Sequence, residues 1–85
     1  MADAHRVVFT FDTPSMDSLK QVKENGSFST LGTAMRESIQ LSETLQEQVA
    51  GGFTEIVLRN PTTNQEKVIV VPSLRRVAKK AAKAL

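Results

Sequence analysis

The densest chemistry in this 85-residue chain lies at residues 73–85, where Arg75, Arg76, Lys79, Lys80 and Lys83 stand together with no acid among them. Side chains of this kind bind phosphates without regard to base sequence, each contact adding to the salt dependence. A cationic amphipathic segment also suits an anionic membrane surface. Here the apolar side is mostly alanine with no aromatic anchor, so membrane affinity is weak and no membrane partner is expected. The bland alternative is a solvated end that balances the rest of the chain. That rest is acidic: residues 1–72 carry six Lys/Arg against nine Asp/Glu, a net of −3. The isoelectric point of about 9.3 therefore belongs to the last segment alone.

Bond-making chemistry is scarce. There is no cysteine and only one histidine, His5, so neither a thiol nucleophile nor a metal site is expected. The nine carboxylates form no recognisable acid–base pair. Gly51-Gly52 leads into a strand pattern rather than a helix, so it is no phosphate loop. The sequence predicts no catalytic residue, no cofactor and no enzyme. No apolar run approaches the ~20 residues of a membrane span. Met-Ala-Asp-Ala-His-Arg lacks the apolar core of a signal peptide. A cytoplasmic protein is expected.

Five elements must position these groups. Arg6 to Phe11 alternate, with Val7, Phe9 and Phe11 on one face and Arg6, Val8 and Thr10 on the other, which predicts a half-buried strand. A lone strand needs a partner, either a second copy of itself or the strands near residues 53–72. Asp12-Thr13-Pro14 predicts a helix start with Thr13 as cap and Asn25-Gly26 its stop, giving a helix over about 14–24. Ser29 or Thr30 caps a second helix whose stripe is Leu31, Ala34, Met35, Ser38, Ile39, Leu41, Leu45 and Val49, ending at Gly51-Gly52. A helix of about twenty residues is roughly 30 Å long, too long for the first helix to cover. The surplus stripe, and Gly32 in its first turn, point to a second chain packed against it. Phe53–Arg59 and Glu66–Val71 flank the turn residues Asn60–Gln65 and predict a hairpin. Ser73 then caps a last helix, Leu74–Leu85, with Leu74, Val77, Ala78, Ala81 and Leu85 on one side and the five cations on the other.

The order of strand, short helix, glycine turn and capped helix with Ala34-Met35-Arg36-Glu37-Ser38-Ile39 resembles the bacterial ribbon-helix-helix (Arc/MetJ-type) DNA-binding proteins over about residues 5–50. The resemblance implies an α+β fold: a β-α-α core at 1–50, a β-hairpin at 51–72 extending the same domain, and a basic tail helix at 73–85. It also implies a symmetric homodimer whose paired strands enter the major groove of double-stranded DNA. On that reading Arg6, Val8 and Thr10 face the bases, and Arg6 alone has the bidentate geometry for guanine. Ser27, Ser29 and Thr30 sit where the second helix's N-terminus holds a phosphate, though each is equally an ordinary cap. Val7, Phe9, Leu19, Val22, Leu31, Met35 and Ile39 form an intertwined core. The function implied is sequence-specific DNA binding as a dimeric transcriptional repressor, with Arg75, Arg76, Lys79, Lys80 and Lys83 adding nonspecific affinity. Two alternatives remain open. One is a protein-interaction module, antitoxin-like or of the phage-inhibitor kind, that keeps the fold without specific DNA binding. The other is a monomer whose first strand closes on its own hairpin as a three-stranded sheet.

Overall fold

A computed structural model describes residues 3–84. Its elements are α1 (Thr13–Asn25), α2 (Leu31–Ala50), β1 (Ile56–Arg59), β2 (Glu66–Ile69) and α3 (Pro72–Lys83). The class is α+β, but the order is α-α-β-β-α, and this corrects the expected β-α-α core. No strand forms at residues 6–11. The sheet has two strands, β1 and β2, so the three-stranded closure is absent as well. The physical reason is pairing. A strand exists by its ladder of hydrogen bonds, and the helix that begins at Thr13 leaves residues 6–11 no neighbour in sequence to pair with. Within the segment the Phe9 and Phe11 rings lie 6.1 Å apart between centroids.

The chain forms two compact units, Met1–Ser38 and Ile39–Leu85, with α2 running through the boundary. In the first unit, α1 starts on Asp12 rather than Thr13. The Ser15 N–H donates to Asp12 Oδ1 at 2.8 Å, and Thr13 and Pro14 are the first two helical residues. At the other end, the Phe28 N–H donates to the Lys23 carbonyl at 2.9 Å and the Ser27 N–H to that of Glu24 at 3.2 Å, a Schellman closure. The left-handed residue there is Ser27, at φ 55°, and not Gly26, at φ −86°. Gly26 serves another purpose, because the Phe28 ring fills the space a Cβ on it would need.

The second helix is capped by Thr30, whose Oγ1 accepts from the Thr33 N–H at 3.0 Å. It ends by the same closure as α1, with Phe53 N–H on Gln48, Gly52 N–H on Val49, and Gly52 at φ 104°. Of its apolar stripe, Ala34 and Val49 are buried, whereas Ile39 and Leu41 are exposed. Outside its own helix backbone, a Cβ built on Gly32 would meet only the Arg36 guanidinium and the Thr30 hydroxyl within 4 Å, so within one chain this side of the first turn is open.

The hairpin sets Ile56 opposite Ile69, Val57 opposite Val68, Leu58 opposite Lys67 and Arg59 opposite Glu66. Asn60 builds its loop: Oδ1 accepts from Thr62 N–H at 2.9 Å, and the Asn60 carbonyl accepts from Asn64, which takes the left-handed conformation at φ 62°. The last helix begins one residue after Val71, which caps it with no side-chain bond. Ser73 is therefore inside the helix and not its cap.

The core expected from the resemblance does not form within one chain. Val7 and Phe9 are 65% and 63% exposed, and Val22 and Ile39 are exposed too. Leu19, Leu31 and Met35 are half-buried. Burial in that arrangement depends on a second copy, and a single chain has no surface of its own to supply it.

Candidate nucleic-acid interface

Twelve residues of α3 span about 18 Å at 1.5 Å each. At 3.6 residues per turn, Arg75, Arg76, Lys79, Lys80 and Lys83 fall within an arc of about 140°. All five are exposed. Leu74 is buried, and Val77, Ala78 and Ala81 are half-buried on the opposite side. Leu85, expected on that apolar side, lies outside the described residues. Lys80 and Lys83 occupy the last turn, where the helix dipole favours positive charge.

The apolar side of α3 borders the same cleft as the hairpin. Ile56, Ile69, Val71, Leu74 and Ala78 line a cleft of about 320 Å³. Glu55, Arg75 and Lys79 share its lining. Arg76, Lys80 and Lys83 stand clear of the cleft and belong to the cationic face alone. The cations were legible from helical spacing. The cleft was not, because it joins residues far apart in sequence through a turn.

The remaining candidate residues lie in the first unit. Arg6, Val8 and Thr10 are exposed in a segment without regular structure, Val8 being 79% exposed. Ser27 is the left-handed terminator of α1, Ser29 is an exposed bend residue, and Thr30 is the α2 cap. The Thr30 and Thr33 hydroxyls lie 3.0 Å apart, and Arg36 Nη2 donates to Thr33 Oγ1 at 3.3 Å. Sequence reasoning missed Thr33 and Arg36. Their spacing of three from Thr30 places all three on one side of the first turns, which is the signal that reveals them. The electrostatics at the start of α1 are equally local. A side-chain hydrogen bond from Ser15, then its backbone N–H, hold the Asp12 carboxyl below its ordinary pKa.

No helix of the described residues is long and apolar enough to cross a membrane. No protein-family model, curated protein or solved structure matches the chain.

Proposed function

We propose that the protein binds double-stranded DNA as a homodimer in the cytoplasm, with α3 as its principal contact to the phosphate backbone. The observation that carries this reading is the face of α3. Five exposed cations lie on one side and the packed residues on the other, with no acid in residues 73–85 to neutralise them. Backbone contacts of this kind give affinity and orientation but no sequence information. Specificity falls to Arg6, Val8 and Thr10, which are exposed, with Arg6 the guanine donor. Ser27, Ser29 and Thr30, and Arg36 in the second turn of α2, supply further phosphate contacts between α1 and α2. A dimer held at a promoter obstructs transcription, so repression is the expected outcome.

Fluorescence anisotropy with labelled duplex between 50 and 200 mM salt tests the assignment. Replacing Arg76, Lys80 and Lys83 by Gln should make the slope of log K against log salt shallower by roughly three for each bound α3 helix. An unchanged slope removes α3 from the interface. Arg6→Ala should cost about 1–3 kcal/mol on a specific site and little on random duplex.

The second reading is a protein-interaction module. Exposure of Val7, Val8 and Phe9 favours it, since large apolar side chains in contiguous exposed positions mark contact surfaces. A folded dimer that binds no DNA even at 50 mM salt would select it.

A further inference from the structure

We propose that the outer edge of β1 pairs with β1 of a second copy, antiparallel about a twofold axis at Val57, joining two hairpins into one four-stranded sheet. The inference rests on the homodimer reading and names the surface that makes the dimer.

Backbone parity comes first. The Asn60 N–H donates to the Gln65 carbonyl at 2.8 Å, so Asn60 and Gln65 are a hydrogen-bonded pair. Pairs alternate along an antiparallel ladder. With the observed register, Leu58–Lys67 and Ile56–Ile69 are then bonded pairs as well. Val57 and Arg59 turn their N–H and C=O away from β2, and extension of β1 by one residue gives Glu55 the same parity. A twofold axis at Val57 sets Val57 against Val57 of the second copy, and Glu55 against Arg59 of the second copy. All three are outward-facing positions, so the two edges meet donor to acceptor without a shift.

Charge comes second. Within its own hairpin, continuation of the register sets Glu55 opposite the apolar Val70. Across the proposed axis it meets Arg59, and the twofold makes that pair twice. The outer edge of β2 has no such match. A twofold axis at Val68 would set Glu66 against Val70 and Lys67 against Ile69. Pairing β1 to β2 of another copy would be head-to-tail and would not close.

Apolar surface comes third. A two-stranded sheet is marginal in water, and three or more strands are the usual requirement. Val57, Leu58 and Val68 are exposed in the single chain. Doubling the sheet brings Ile56 beside Leu58 of the second copy on one face.

The chain has no cysteine, so one introduced thiol reports one position. In solution, Val57→Cys and Val68→Cys proteins are treated with a short bis-maleimide. A hydrogen-bonded antiparallel pair places its Cα atoms about 5.5 Å apart, so Val57→Cys should give a covalent dimer and Val68→Cys should not. Val57→Pro removes an N–H the hairpin does not use; it should keep its circular dichroism and weaken the dimer at least tenfold. Glu55→Arg should weaken it on the order of tenfold. Linkage at position 68 alone, or a Val57→Pro protein that dimerises as the parent does, overturns the β1 edge and leaves the homodimer standing. A parent protein that is monomeric by light scattering overturns both, and anisotropy on the same samples reports DNA binding separately.

Discussion

Residues 6–11 and residues 56–59 are both short runs rich in strand-forming side chains, Arg-Val-Val-Phe-Thr-Phe in one and Ile-Val-Leu-Arg in the other. One becomes a strand and the other does not. The difference is the company each keeps. Seven residues after Arg59 the chain returns as β2, and Asn60 and Asn64 shape a loop short enough that closing it costs little entropy. Five residues after Val8 the chain is already helical, held there by the Asp12 cap. Alternation therefore decides which side chains share a face, while a partner within reach decides whether a ladder forms.

Four measurements bear on that contrast. The largest effect is expected at the buried residue of α3 that lines the cleft. Leu74→Ala should lower stability by about 3 kcal/mol in thermal unfolding, because a buried leucine leaves a cavity in the cleft. Next comes proline in each segment. Leu58→Pro removes a ladder donor and should cost about 2 kcal/mol, whereas Val8→Pro should stay within about 0.5 kcal/mol. Equal losses would mean that residues 6–11 are paired in solution. The third acts on the two helix ends. Gly52→Ala forces a side chain to φ 104° in open space and should cost about 1 kcal/mol, while Ser27→Gly should gain a smaller amount at φ 55°.

The smallest effect concerns the cap that ends the 6–11 segment. The Asp12 pKa is depressed in the folded state, so its stabilisation of α1 is present above the ordinary aspartate range and fades as pH falls through the lowered value. The Ser15 amide resonance should follow that titration, and Asp12→Asn should abolish the pH dependence while keeping the acceptor.

Much of this architecture is legible in the sequence because it is local. Gly51-Gly52 ends α2 as its composition says, and Asn60-Pro61 opens the hairpin loop. The cationic side of α3 follows from spacing alone. What escapes is decided by atoms elsewhere. Gly26 looks like the left-handed terminator of α1, yet the Phe28 ring occupies its open side and Ser27 takes that conformation instead. Thr13 and Asp12 are both plausible caps by type, and only the bond to Ser15 separates them. Ser73 reads as a cap until Pro72 is seen to begin the helix one residue earlier. Whether residues 6–11 are a strand is not a property of those residues at all.

The second strand has a colloidal consequence. Val68-Ile69-Val70-Val71 is an uncharged, β-prone run, largely exposed on the hairpin. Such runs seed fibrils when their edges meet. Here the run is fenced by Glu66 and Lys67 on one side and by Pro72, which can donate no further ladder bond, on the other. Those three gatekeepers, none of them lining the cleft or on the cationic face of α3, stand where they oppose such edge-to-edge stacking.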